Sequence, residues 1–169
     1  REKSIHTKTA FEVNISSKIL INDIISLGFG PNKTYKKLYL PNIPEELMRH
    51  FIRGYFDGDG SIIGSVSAPN IKNREVNYRI TQSFQIDCKK KTLLEDIQDF
   101  VSNYSINLNI NYITRDDLFR LVTSSKEEVN KLFHFLYDNS NFYLQRKFNK
   151  FNYYVNTEVS QIITDHRNA

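Results

Sequence analysis

The stretch Phe51-Ile52-Arg53-Gly54-Tyr55-Phe56-Asp57-Gly58-Asp59-Gly60-Ser61 ends one periodicity and starts another. Upstream, Pro44 followed by Glu45 and Glu46 marks a helix start, with proline at the first position and acids at the positive end of the dipole. Leu47, Met48, Phe51, Ile52, Tyr55 and Phe56 then recur at helical spacing, and Asp57-Gly58-Asp59-Gly60 ends the helix. From Ser61 the period falls to two. Ile62 and Val66 alternate with Ser61, Ser65 and Ser67; Val76, Tyr78, Ile80, Phe84 and Ile86 alternate with Asn77, Arg79, Thr81, Ser83 and Gln85. Each strand so defined has one dry face and one face of hydrogen-bonding side chains.

Farther out the pattern repeats. A helix is expected from Thr92 to about Tyr104, with Leu93, Leu94, Ile97 and Val101 inward. A second strand pair follows: Ile106, Leu108, Ile110 and Tyr112 opposite Asn107, Asn109 and Asn111, then an Asp116-Asp117 turn into Leu118–Thr123, which carries Arg120. Ser124-Ser125 with Glu128 predicts a capping box for a helix over Lys126–Tyr137. Tyr143–Tyr154 reads as a basic-aromatic helix whose rings pack into the core while its cations snorkel, and Thr157–Ala169 carries little signal. At the other end, Thr7, Thr9, Phe11, Val13 and Ile15 alternate as a strand. Ser16-Ser17 caps a helix over Lys18–Leu27, and a basic connection spans 32–42. The order from Pro44 implies an α+β fold: a four-stranded antiparallel sheet backed by helices on one face and open and polar on the other.

Asp57 and Asp59 sit at the negative pole of their helix, where each carboxylate is disfavoured by roughly 0.3–1 kcal/mol. A hard divalent cation would compensate them. A calcium loop of the EF-hand type does not fit, because the sixth position from Asp57 is Ile62 and the twelfth is Ala68. A tight hairpin turn, or a purely structural cap by Asp57, remains open. Gly54 costs about 1 kcal/mol relative to alanine inside a helix. It aligns with His50 and Gly58 in a narrow stripe on which another helix can come close.

Composition agrees with this reading. The 169 residues include one cysteine, Cys88, and no stretch of about 20 apolar residues that a membrane span needs. A disulfide scaffold is excluded, and a soluble intracellular protein, of cytoplasm or organellar matrix, is expected. The formal net charge is +4, unevenly spread: residues 1–44 carry 7 basic and 3 acidic side chains, residues 45–169 carry 16 of each.

Ile52 through Gly60 resembles the nine-residue signature of the LAGLIDADG homing endonucleases, with Gly54, Asp57, Asp59 and Gly60 at the matching places. The preceding Pro41-Asn-Ile-Pro-Glu-Glu-Leu47 and the strand-strand-helix repeat fit as well. The resemblance implies an αββαββα fold with a saddle-shaped sheet laid along the DNA major groove, and two motif helices packed together through His50, Gly54 and Gly58. It implies Mg²⁺ or Mn²⁺, with Ca²⁺ as a non-cleaving substitute, held by Asp59 with the Gly58 carbonyl. Asp57 is the second acid of the set and chiefly shapes the helix end. Lys126 and Gln85 are expected to support the attacking water. The implied reaction is a staggered, metal-dependent double-strand cut in DNA. An intron-splicing maturase or a non-cleaving DNA-binding regulator of the same fold is the alternative.

A single motif is present, and Arg1 stands where a start methionine would. The expectation is that residues 1–43 hold the strand-helix remnant of a preceding half-domain plus a basic linker, that 44–156 form the LAGLIDADG domain, and that 157–169 are a tail. A second half, from an upstream partner or a second copy, completes the centre. On the wet sheet face, Ser61, Ser65, Ser67, Asn77, Arg79, Thr81, Ser83, Gln85, Asn107, Asn109, Asn111 and Arg120 suit base readout, Arg for guanine and Asn or Gln for adenine. Lys33, Lys36, Lys37, Lys72, Arg74, Lys89, Lys90 and Lys91 are expected at phosphates.

Overall fold

The computed structural model describes residues 14–28, 38–67 and 78–167. Most of the expected opening strand, together with Lys33, Lys36, Lys37, Lys72, Arg74 and Asn77, lies outside them. The elements are α1 (Lys18–Ser26), α2 (Glu45–Asp59), β1 (Gly60–Ser67), β2 (Arg79–Cys88), α3 (Lys91–Ser102), β3 (Asn109–Ile113), β4 (Leu118–Thr123), α4 (Lys126–Tyr137), α5 (Gln145–Asn156) and α6 (Val159–Arg167). The four strands form one antiparallel sheet in the order β1-β2-β4-β3. Each strand-strand-helix unit thus contributes a hairpin, and the hairpins join through β2 and β4.

The core lies between one sheet face and the helices. Met48, Ile52 and Phe56 of α2 are buried, as are Leu93, Leu94, Ile97 and Val101 of α3, the four positions that helical spacing puts inward. Phe56 stacks on Phe84 of β2 at 4.7 Å between ring centroids, with Phe151 of α5 at 5.7 Å from Phe56. Each such ring contributes about 1.5–3 kcal/mol by leaving water, so α2 is pinned to both sheet and α5 just before its acidic end. Gly64 allows a further close approach: a Cβ there would overlap the Tyr154 ring of α5. Phe148 likewise stacks on Tyr143 at 4.5 Å, and Phe148, Phe151 and Tyr154 of α5 belong to or pack on the core, whereas Tyr153 donates to Asp165 at an exposed place.

Several local expectations give way to distant partners. Glu128 does not close a capping box. Ser125 caps α4 by accepting from the Glu128 N–H at 3.4 Å, but the Glu128 carboxylate accepts from the Asn107 N–H at 2.6 Å and from Lys131. Asn107 therefore precedes β3 and is tied to α4 rather than standing on the strand. The wet face also carries apolar side chains, Ile63 at 48% exposure and Val122. The C-terminal stretch forms α6, which docks by burying Ile162. α1 forms where expected but buries none of its residues. Among the described residues no helix is long and apolar enough to cross a membrane.

Candidate active site at the end of the motif helix

The two acids that end α2 have different surroundings. Asp57 is committed to the protein: Oδ1 accepts from the Tyr137 hydroxyl at 2.9 Å and Oδ2 from the Leu144 N–H at 2.8 Å. Burial, then the Asp57 charge, pushes the Tyr137 phenol well above its ordinary pKa. Asp59 is exposed, and its carboxylate accepts no hydrogen bond from the described residues. Asp57→Ala is expected to lower stability by about 2 kcal/mol, the loss of charged hydrogen bonds with one donor left unpaired, as measured by urea unfolding.

The helix end has an internal cation that the sequence reading missed. Lys147, 8% exposed, donates from Nζ to the Phe56 carbonyl at 2.7 Å and to the Gly60 carbonyl, with the Gly58 carbonyl at 3.5 Å. It gives the Phe56 carbonyl, which also accepts the Gly60 N–H, a second donor, ties in the Gly60 carbonyl just past the helix end, and neutralises part of the dipole's negative pole. Burial, and then Arg146, pull its pKa below that of an ordinary lysine, while Asp57 and Asp59 push it back up. Arg53 is a second internal anchor. Its guanidinium donates to the Phe142 and Leu136 carbonyls at 2.9 and 3.1 Å, to Ser140 Oγ at 2.6 Å, and to His50 Nδ1 at 2.7 Å. The α4–α5 connection is thereby fastened along α2.

The other side of α2 is uncovered. Gly54 and Gly58 are exposed, and a Cβ at either would meet nothing within 4 Å. No packing inside the described chain therefore calls for glycine at these places. Leu47 at 48%, Phe142 at 90% and Leu144 at 38% exposure are apolar neighbours along the same helix and its fastened loop.

Asp59 opens onto a cavity of about 210 Å³ shared with Leu38, Tyr55, Asp87, Cys88, Lys89 and Lys90. Burial, with Cys88 and Asp59 adding to it, raises the Tyr55 pKa. Gln85 stands opposite Ser61 on the open face and donates to Ser83 Oγ at 3.2 Å. Lys126 lines a different cavity, of about 490 Å³, with Gln82 and Tyr154, and is not brought to Asp59. Ser61, Ser65, Ser67, Arg79, Thr81, Ser83, Asn109, Asn111 and Arg120 do share the open face with Gln85, where Ser65 and Thr81 bond each other at 2.7 Å. Asp87, absent from the sequence-based site, arrives there with Lys89 and Lys90 because β2 ends level with the end of α2.

The family model of the LAGLIDADG-like domain matches residues 46–136. No curated protein matches the chain in sequence. Solved structures do. The homing endonuclease I-CvuI, in complex with the I-CreI target, is 16% identical with a TM-score of 0.52, over 66% of this chain and 65% of that one. The archaeal intron-encoded homing endonuclease I-Vdi141I, complexed with DNA, is 24% identical with a TM-score of 0.51, over 64% and 67%. The I-LtrWI LAGLIDADG homing endonuclease bound to target DNA is 24% identical with a TM-score of 0.55, over 73% of this chain and 39% of that one. This chain thus spans from 39% to 67% of these proteins' lengths. The matched segment runs from the first turn of α2 almost to the end of α4, taking in the motif helix and all four strands, and the chain belongs to the LAGLIDADG family.

Proposed function

We propose that this chain supplies one half of the catalytic centre of a site-specific DNA endonuclease that makes a staggered, metal-dependent double-strand cut. The observation that carries the proposal is the free, exposed carboxylate of Asp59 at the end of a helix whose glycine stripe is uncovered. A hard cation such as Mg²⁺ or Mn²⁺ fits these donors, since it takes one or two protein carboxylates and keeps water and phosphate oxygens for the rest. Asp59 and the Gly58 carbonyl would hold it. When bound, the metal supplies polarisation of the scissile phosphate and an activated water. The chain's own residues do the remainder: Lys147 and Asp57 fix the helix end, Lys89 and Lys90 add positive charge beside it, and the open sheet face meets the major groove. Among the described residues no three or more His, Cys, Asp or Glu side chains converge, and a centre shared with a second motif helix supplies the missing carboxylate.

Support for DNA as the partner comes from the similar endonucleases solved with DNA and from the polar sheet face. The test incubates the chain, alone and within its full native polypeptide, with a randomised duplex library in Mg²⁺ or EDTA. Double-strand breaks at a recurring site in Mg²⁺ alone are expected; cutting of no sequence under any condition overturns the proposal.

Helix pairing through the stripe has its own signature. Gly54→Ala is expected to stabilise the isolated chain by about 0.5–1 kcal/mol, because glycine is poor in a helix and the added methyl meets open space. Gly54→Leu keeps the fold yet blocks pairing and cutting. Thermal unfolding and sedimentation measure the two effects; pairing undisturbed by Gly54→Leu would contradict the assignment.

A further inference from the structure

The open sheet face is a grid in which directly opposed residues share a level. One level holds Asn111 of β3, Arg120 of β4 and Asp87 of β2, and Asp87 lines the same cavity as Asp59. At this level Arg120 donates from Nε to Asp87 Oδ1 at 2.7 Å and from Nη2 to Oδ2 at 2.8 Å. A carboxylate held this way occupies the side edge of the guanidinium, leaving both Nη1 hydrogens and the second Nη2 hydrogen at the tip. No described residue accepts from Nη1. The two side chains are 28% and 35% exposed, so the pair is neither sealed nor fully solvated.

A bidentate pair at this partly exposed place stabilises the sheet modestly, and that role leaves the free tip of the guanidinium without an account. Its geometric consequence is larger. The free tip presents two donors side by side, the arrangement that matches O6 and N7 of guanine. Asp87 fixes the long side chain before any partner arrives, removing the ordering cost that a free arginine meets on binding. The pairing also neutralises the Asp87 carboxylate, whose charge would otherwise face the groove.

We propose that Arg120 reads a guanine in the major groove close to the cut and that Asp87 is its positioning residue. This rests on the DNA-cleaving reading above and sharpens it to one base. Asn111, opposite Arg120 on the same level, is exposed and stays free for a neighbouring base.

The test selects bound duplexes from a randomised library in Ca²⁺, using the full chain, its Arg120→Ala and Asp87→Asn variants, and Lys150→Ala, an exposed cation of α5 off the sheet, as a control. The wild type is expected to enrich a site with a guanine column that Lys150→Ala leaves intact. Arg120→Ala lowers the guanine preference there by about tenfold or more. Asp87→Asn, which keeps the shape but not the charge, lowers it at the same column by about 2- to 10-fold. Other columns hold, and thermal unfolding verifies that the variants fold. A guanine column indifferent to Arg120, or an equal weakening of every column in both variants, overturns the inference while DNA binding stands. Enrichment of no sequence by any protein overturns the DNA reading and this inference with it.

Discussion

Asp59→Asn is expected to lower metal-dependent cutting by roughly 10³-fold or more, a loss of about 4 kcal/mol in transition-state stabilisation, while thermal stability stays within about 0.5 kcal/mol of wild type. The amide keeps the volume and one neutral oxygen but loses the charge a hard cation needs. Stability holds because Asp59 is exposed and accepts no hydrogen bond from the described residues, and removing a negative charge from a helix C-terminus is neutral or mildly favourable. Time courses on a duplex bearing the selected site, beside a thermal melt, measure both quantities. The contrast with Asp57→Ala is diagnostic: that variant loses stability through Tyr137 and Leu144. Wild-type cutting by Asp59→Asn would remove Asp59 from the centre.

Lys147→Met is expected to cost about 3 kcal/mol of stability with no metal involved. Methionine fills the stem's volume, so packing is nearly conserved. What disappears is the charged donor to the Phe56 and Gly60 carbonyls; Phe56 keeps the Gly60 N–H, and losing a charged donor at a buried acceptor costs about 1–3 kcal/mol each. The loss also restores the full negative pole of α2 beside Asp57 and Asp59. Urea unfolding should show an earlier midpoint with an unchanged slope. Because Lys147 compensates the helix end from within the chain, the loss on Lys147→Met should appear in EDTA as well as in Mg²⁺. A loss under about 1 kcal/mol for Lys147→Met would mean that water takes over those carbonyls.

Much of the architecture was legible from local pattern. The Pro44-Glu45-Glu46 start, the helical spacing through Phe56 and the alternation in 76–86 marked α2 and β2, and Ser125 fixed the start of α4, because each signal lies within a few residues of the element it governs. The misses share the opposite property. The Glu128 carboxylate went to Asn107, 21 residues away, and Lys147, which looked like one cation among several on a basic helix, is buried against carbonyls 87 and 91 positions upstream. α6 was passed over because burial of Ile162 alone leaves almost no periodic trace.

The acidic motif was readable as a site from its order of residues: the run Ile52 to Gly60 determined the helix, its end, the paired carboxylates and the glycine stripe. The resemblance distinguishes the two acids by their places in the signature, Asp59 for the metal and Asp57 for the helix end; which donors each carboxylate meets was decided only in three dimensions. Asp57 and Asp59 are two residues apart, about 200° around a helix, and share residue type, spacing to glycine and dipole environment. Asp57 points at the α4–α5 connection, where Tyr137 and Leu144 take both its oxygens. Asp59 points away from every such donor. The local chemistry of the motif does not foretell these surroundings, because the groups that make them come from 80 and 87 residues farther along the chain and reach the helix only when α4 and α5 pack against it.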